Sequence, residues 1–289
     1  MGNRLILRAA DGHQLGAYRA DAAGIPRGRV VVIQEIFGVN HHIRAVCDRL
    51  AQAGYTALAP QIFDRLIRDS ESGYSEPEIA KAREYIPKLD WAKVMLDTQA
   101  AVDQLKREGP VAIVGFCMGG TVAFLAATRL DGLAAAICYY GGMIAQHADA
   151  KPRCPTQMHF GEHDGHIPMT DVANIRAKRP DCEIHVYQGA GHGFHCDERA
   201  SFEPNSAKIA WGRSLGFLAR VFTSVRPTAT AMPKPQPMTA PKPKAKPKTR
   251  KKAKAKAKKK TRKTKKTKKK TKKKSKKKSE KKSRKKKRR

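Results

Sequence analysis

The sequence predicts an α/β domain built around a doubly wound, mostly parallel sheet, followed by a disordered basic tail. Short apolar runs alternate with stretches of helical periodicity over the first three quarters of the chain. This alternation is typical of parallel strands joined by helices that cover both faces of a sheet. The strand at 111–114 is apolar without alternation, as expected when both of its faces are buried.

Charge divides the 289-residue chain into two parts. The formal net charge is +35, from 60 Lys and Arg against 25 Asp and Glu. Residues 226–289 hold 29 Lys, 6 Arg and a single acid, Glu280, and therefore carry +34. Residues 1–225 are nearly neutral at +1 and are long enough for one core. We therefore predict a globular domain over 1–225 and a Pro- and Lys-rich tail without stable structure over 226–289.

The first 60 residues are predicted to form a hairpin and a strand–helix–strand unit. Ala10-Asp11-Gly12 is a hairpin turn signal between strands at 4–8 and 15–19. The strand at 29–33 leads into a helix for which Asn40 is a suitable N-cap.

Helices and strands alternate in the remainder of the domain. Residues 61–76 are polar and are expected to form an irregular connection. Further strands are predicted at 55–59, 134–139, 156–160 and 183–187, and helices at 78–85, 91–106, 120–130, 171–178 and 205–221. A parallel sheet of this kind places its site at the carboxyl ends of the strands.

The N-terminus and the cysteines indicate an intracellular protein. Residues 1–18 contain no long apolar run, so we expect neither a signal peptide nor a transmembrane segment. The six cysteines show no CxxC motif and no regular spacing, which favours reduced thiols. The expected location is the cytoplasm, with association with the nucleoid through the tail.

One strand ends in a motif typical of a catalytic nucleophile. Gly115-Phe116-Cys117-Met118-Gly119 has the spacing glycine, x, nucleophile, x, glycine, and a helical run follows. The turn is so tight that only very small residues fit two positions before and two after the nucleophile. Cys117 would project at a helix N-terminus, where a thiolate is favoured. A small buried cysteine in a tight turn is the alternative interpretation.

Two later loops, each after a strand, supply potential partners for Cys117. Asp164 lies in GEHDGHIP and His192 in GAGHGFH. The order nucleophile, acid, histidine is that of the α/β-hydrolases, with each residue at the end of a strand. Glu162 is a rival for the acid and His195 is a rival for the histidine.

Three other histidines suggest a metal site, but their positions do not support one. His159 alternates within a strand, whereas His163 and His166 lie in the next loop. We therefore predict that these residues bind no metal ion.

With these motifs, residues 1–225 resemble the dienelactone hydrolase, or carboxymethylenebutenolidase, family of α/β-hydrolases. The resemblance depends on QEIFGVN at 34–40, GFCMGG at 115–120, GxxDxxxP at 161–168 and AGHGF at 190–194. It implies the α/β-hydrolase fold and a cysteine hydrolase that opens a lactone or cleaves a small ester. It also implies that no metal ion and no organic cofactor take part.

The catalytic roles follow from this resemblance and from the chemistry of the side chains. Cys117 would attack the acyl carbonyl. His192 would take the thiol proton and return it to the leaving alkoxide, while Asp164 would orient the imidazole. The oxyanion is expected between the backbone N–H groups of Ile36 and Met118.

Glu35 and two arginines complete the candidate site. Glu35 resembles the family glutamate that holds or accepts the cysteine proton before the substrate binds; a simple salt bridge to Arg44 is the alternative. The family places a substrate-binding arginine four residues after the catalytic histidine, and this position is Cys196 here. Arg83 and Arg199 are the remaining candidates for holding a substrate carboxylate.

The tail resembles the lysine-rich tails of linker histones in composition. A charge of +34 favours binding to a polyanion through counterion release, with DNA as the first candidate and RNA, ribosomes, polyphosphate or acidic membrane surfaces as alternatives. The residues expected to contact phosphates include Lys251, Lys252, Lys268, Lys269, Lys270, Lys285, Lys286 and Lys287.

Two functions are compatible with this organisation. The first is an enzyme that its tail localises on a polyanion. The second is an inert hydrolase-fold scaffold in a histone-like DNA-binding protein. Cys117, Asp164, His192 and Glu35 favour the enzyme, because a scaffold has no physical need for all four at strand ends.

Overall fold

The computed structural model describes residues 2–225; the predicted tail lies outside the described residues, and the boundary after residue 225 stays a prediction. The strands are β1 (Asn3–Arg8), β2 (Gln14–Ala20), β3 (Gly28–Ile33), β4 (Tyr55–Pro60), β5 (Val111–Phe116), β6 (Leu133–Tyr139), β7 (Thr156–Gly161) and β8 (Glu183–Tyr187). The helices are α1 (His41–Gln52), α2 (Glu76–Arg83), α3 (Trp91–Lys106), α4 (Met118–Arg129), α5 (Ile144–His147), α6 (Met169–Lys178) and α7 (Pro204–Val225).

The eight strands form one sheet in the order β1-β2-β4-β3-β5-β6-β7-β8. The β1–β2 and β2–β4 pairs are antiparallel, and all pairs from β4 to β8 are parallel. The predicted doubly wound, mostly parallel sheet is therefore confirmed. Helices follow most of the parallel strands, and none of the described helices combines the length and hydropathy that crossing a bilayer requires.

Strand β5 lies in the middle of the sheet, and all six of its residues are buried. Its neighbour β3 runs parallel to it, with Ile33 in register with Gly115. The loops that follow these two strands consequently begin side by side. Helix α4 follows β5 and buries every residue except its last, Arg129.

The connection at 61–76 is more ordered than the sequence predicts. It contains a turn of 3-10 helix at Ile62–Arg65, and Arg65 donates hydrogen bonds to Asp97 at 2.7 Å and to Asp11 at 2.8 Å. Asp97 is completely buried and needs a charged partner. This ion-pair network joins segments that are far apart in sequence, which explains why local composition did not reveal it.

The turn between β5 and α4 depends on glycine at both flanking positions. A Cβ on Gly115 would overlap the carbonyl oxygen of Gly119, and a Cβ on Gly119 would overlap the carbonyl oxygens of Ile33 and Gln34. These contacts are with backbone atoms, which cannot rotate away. The close approach of α4 to the ends of β3 and β5 therefore requires residues without a side chain.

Replacing a glycine within a helix by alanine usually stabilises a protein, but at Gly119 we expect the opposite effect. We expect Gly119→Ala to destabilise the full-length protein by ~1–3 kcal/mol, because the added methyl overpacks a rigid backbone contact. The matched control is Gly212→Ala in α7, where a Cβ meets nothing within 4 Å. That change should stabilise the protein by about 0.5–1 kcal/mol. Urea denaturation measures both; equal stability of the two variants would contradict this account of the turn.

Candidate active site

Cys117 lies at the turn between β5 and α4 in a strained backbone conformation. Its φ is 55° and its ψ is −117°, a region that residues with a side chain rarely adopt. The strain is held by the packing of α4 and by a 3.0 Å hydrogen bond from the Cys117 amide to the carbonyl oxygen of Tyr139 on β6. The side chain consequently projects beyond the end of the sheet.

His192 and Asp164 form a hydrogen-bonded chain with Cys117. The His192 Nε2 atom lies 3.1 Å from the Cys117 sulfur, and its Nδ1 atom lies 2.7 Å from Asp164 Oδ2. The second carboxylate oxygen of Asp164 accepts a 2.8 Å hydrogen bond from the amide of His166, which orients the carboxylate. The loops after β5, β7 and β8 thus bring together the three residues that the sequence singled out.

Burial and the neighbouring side chains have opposite effects on the pKa of His192. Burial by itself lowers the pKa of this imidazole. The negative charge at Cys117 and the hydrogen bond to Asp164 outweigh burial and raise the pKa of His192 to about 10. The arrangement therefore favours the protonated form of His192.

Glu162 and His195, the alternative acid and histidine, lie away from the Cys117–His192 pair. Glu162 accepts a 3.1 Å hydrogen bond from the amide of Gly189, and its nearest cationic group is His163. His195 is buried and stacks against Phe116 with 5.3 Å between ring centroids. Neither is within hydrogen-bond distance of the Cys117–His192 pair.

Ile36 and Met118, the residues predicted to supply the oxyanion-binding N–H groups, both line the pocket that contains Cys117. Ile36 follows β3, and Met118 is the first residue of α4. No hydrogen bond to either N–H group is found within residues 2–225. Both donors are consequently available to a ligand oxygen.

Glu35 is almost completely buried and pairs with Arg199, not with Arg44. The Arg199 guanidinium donates to Glu35 Oε1 at 3.1 Å, whereas Arg44 pairs with Glu71 at 2.6 Å. The alternative of a salt bridge between Glu35 and Arg44 is therefore wrong. In this geometry the Cys117 thiol faces His192, and Glu35 faces the arginine.

The pocket above Cys117 has a volume of about 210 Å³ and contains both candidate arginines. Arg199 lines it although it lies seven residues after His192 instead of four, and two successive backbone turns, at 193–196 and 196–199, lie between them. Arg83 at the end of α2 is exposed, with no salt bridge or hydrogen bond to another described residue. The remaining walls are mainly apolar and include Phe37, Ile79, Ile86, Trp91 and Met143.

Several residues around the site were not found from the sequence. Tyr140 has a φ of 37°, and its ring lies 5.2 Å from that of His192. Tyr74 and Phe37 each face the Arg199 guanidinium within about 6 Å. The positive φ of Tyr140 has no local sequence signal. Nor has the contact of Phe37 and Tyr74 with an arginine that lies more than 100 residues later in the chain.

The three histidines first considered for a metal site do not converge. His159 is buried between Tyr187, Gln157 and Ser214, to which its ring nitrogens are hydrogen-bonded. Two groups of potential metal ligands are found within residues 2–225, and neither includes these histidines.

Comparison with known proteins agrees with this fold. A sequence model described as the dienelactone hydrolase family matches residues 15–222. The carboxymethylenebutenolidase of Pseudomonas putida is 30% identical over 228 residues, which cover 74% of this chain and 95% of the relative. A Synechocystis sp. protein named "Putative carboxymethylenebutenolidase" is 34% identical over 218 residues, which cover 68% of this chain and 88% of the relative.

A solved structure extends the comparison to three dimensions. The crystal structure of a "Putative Dienelactone Hydrolase" from Klebsiella pneumoniae matches with a TM-score of 0.67 at 32% identity, covering 76% of this chain and 99% of that one. The resemblance drawn from four sequence motifs is thereby confirmed for the globular part. The chain belongs to the dienelactone hydrolase family and is a hydrolase of that type.

Proposed function

We propose that this protein is a cysteine hydrolase that opens a lactone or cleaves a small carboxylic ester, and that its tail binds a polyanion. The observation that carries the catalytic part is the chain of hydrogen bonds from Cys117 through His192 to Asp164, which opens into the pocket. Nucleophile, base and orienting acid stand in the relation that acyl transfer requires.

The reaction would proceed in two steps. The Cys117 thiol passes its proton to His192 as its sulfur attacks the acyl carbon, and the oxyanion accepts hydrogen bonds from the N–H groups of Ile36 and Met118. The C–O bond then breaks, and His192 gives its proton to the leaving alkoxide. In the second step His192 takes a proton from water, whose oxygen attacks the thioester and releases the carboxylic acid and the free thiol.

Glu35 would protect the resting thiol. If the Cys117 side chain turns from His192 towards Glu35, the thiol can keep its proton and donate a hydrogen bond to this carboxylate until substrate enters. A neutral thiol is less open to oxidation than a thiolate. The salt bridge to Arg199 would hold the Glu35 carboxylate in position for that role.

Arg83 and Arg199 support a substrate that carries its own carboxylate. Both line the same pocket as Cys117, and Arg83 has no competing anion among the described residues. Arg199 is already shared with Glu35 and is held over the rings of Phe37 and Tyr74. A planar guanidinium is well suited to bind a carboxylate, and the apolar walls would accommodate the carbon skeleton.

Replacement of the nucleophile tests the catalytic proposal. We expect Cys117→Ala in the full-length protein to lower turnover of an activated aryl ester and of a dienelactone by roughly 10⁴-fold or more, because no other group can form the thioester. Cys154→Ala is the matched control, since Cys154 is also a half-buried free cysteine but precedes β7 at the opposite end of the sheet.

Two results would contradict this proposal. Turnover that survives Cys117→Ala would exclude cysteine as the nucleophile. A folded wild-type protein that cleaves neither compound would favour the inert scaffold. Cleavage of the aryl ester alone would retain the hydrolase and remove dienelactone from its substrates.

The pH profile should report the coupling of His192 to Asp164. His192 must carry a proton when the alkoxide leaves, so kcat/KM should fall as pH rises through about 10. Asp164→Asn removes a group that raises the pKa of His192, and the decline should move to lower pH while the rate falls at all pH values. Glu162→Gln, which alters the rival acid, should leave the profile unchanged; a similar response of the two variants would contradict these roles.

The tail proposal depends on charge alone. A segment with +34 in 64 residues should bind DNA without sequence preference, each contacted phosphate adding ~0.9 to the slope of log affinity against log salt. We expect residues 1–225 to fold and to hydrolyse esters as the full chain does, but to lose the shift of duplex DNA at low salt. An unfolded truncated protein would refute the domain boundary, and failure of the full chain to shift DNA would refute the tail's role.

A further inference from the structure

A second cluster of reactive side chains lies behind Glu35. Glu35, His42 and Cys196 are buried, with at most 1% of each residue exposed. One potential ligand atom from each lies within 4.8 Å of the other two. The three residues come from the loop after β3, the start of α1 and the loop after β8, so the fold brings them together from distant parts of the chain.

Two atoms of this cluster have no partner. Glu35 uses Oε1 for Arg199, and its Oε2 atom is buried without a hydrogen bond. His42 uses Nδ1 for Asp197, and its Nε2 atom is buried without a hydrogen bond. Buried polar atoms are nearly always paired in native proteins, so two unpaired atoms in one cluster point to a missing ligand.

The hydrogen bond of His42 defines the kind of ligand. His42 Nδ1 lies 3.1 Å from Asp197 Oδ1, so the Nδ1–H group donates to the carboxylate and Nε2 keeps its lone pair. A carboxylate behind a histidine is the usual support of a metal-binding imidazole. A lone pair on Nε2 and a carboxylate oxygen of Glu35 cannot hydrogen-bond to each other, but both can bind a cation.

We propose that Glu35, His42 and Cys196 form a buried site for a divalent transition-metal ion with the ligand preferences of zinc. One carboxylate oxygen, one imidazole nitrogen and one thiolate sulfur make up a donor set that Zn²⁺ binds tetrahedrally, with a fourth position for water or substrate. Binding forms a metal–sulfur bond and releases the thiol proton of Cys196 to solvent.

The site departs from the sequence-based expectation of no metal ion, and it competes with the role proposed above for Glu35, because both use the same carboxylate. Arg199 lies on the other oxygen of Glu35 and lines the pocket, so its movement would give an ion access. A bound ion would share the Glu35 carboxylate with Arg199. Metal binding and the position of one candidate substrate-binding arginine would therefore be coupled.

Titration of the metal-free, full-length protein with Co²⁺ tests this site, because cobalt replaces zinc and its thiolate complexes absorb in the near ultraviolet. We expect one ion per chain and a sulfur-to-cobalt band that Zn²⁺ abolishes. The band should persist in Cys117→Ala and in Cys47→Ala, a matched buried thiol on α1, and should disappear in Cys196→Ser. Circular dichroism would verify that each variant is folded.

A surface variant tests the site without altering a buried ligand. The Asp197 side chain is 46% exposed, and Asp197→Asn should weaken Co²⁺ binding by about 10–100-fold through loss of support for His42. Asp181→Asn, which alters a comparably exposed acid paired with Arg179, should leave the affinity unchanged. The proposal is overturned if no stoichiometric band forms, if the band survives Cys196→Ser, or if Asp197→Asn binds Co²⁺ as the wild type does.

Discussion

The backbone strain at Cys117 is the constraint on which the rest of the structure depends. A residue other than glycine pays on the order of 1–3 kcal/mol for a conformation such as φ 55° and ψ −117°. The cost is sustained because β5 is paired on both sides in the centre of the sheet and because α4 is buried along nearly its whole length. Neither element can shift to relieve the turn, so the sulfur is held beyond the strand ends.

Parallel strands then determine what surrounds the sulfur. Because β3, β5, β7 and β8 run in the same direction, the loops that leave them lie at one edge of the sheet. Ile36, Asp164 and His192 each belong to such a loop. The turn at Cys117 and three loops from the same edge bring these residues together, and α2 and the start of α3 supply further walls of the pocket.

Two neighbouring groups of charged and polar side chains lie at this edge of the sheet. His192 lies between the sulfur of Cys117 and the carboxylate of Asp164, while Glu35 lies between Arg199 and the cluster that contains His42. The first group opens into the pocket, and the second is buried behind it. Arg199 contacts Glu35 and also lines the pocket. A change at the buried cluster would therefore alter the position of Arg199 in the pocket.

The sequence by itself determined the alternation of strands and helices, the glycines at 115 and 119, and the order of Cys117, Asp164 and His192 along the chain. These properties are local, since periodicity, steric limits in a turn and strand-end position all act within a few residues. Only the tertiary structure decided that Glu35 pairs with Arg199, 164 residues away, and not with Arg44. It also placed Arg199 in the pocket and Cys196 beside His42, because such pairings depend on strand order and on the path of loops, which have no local signal.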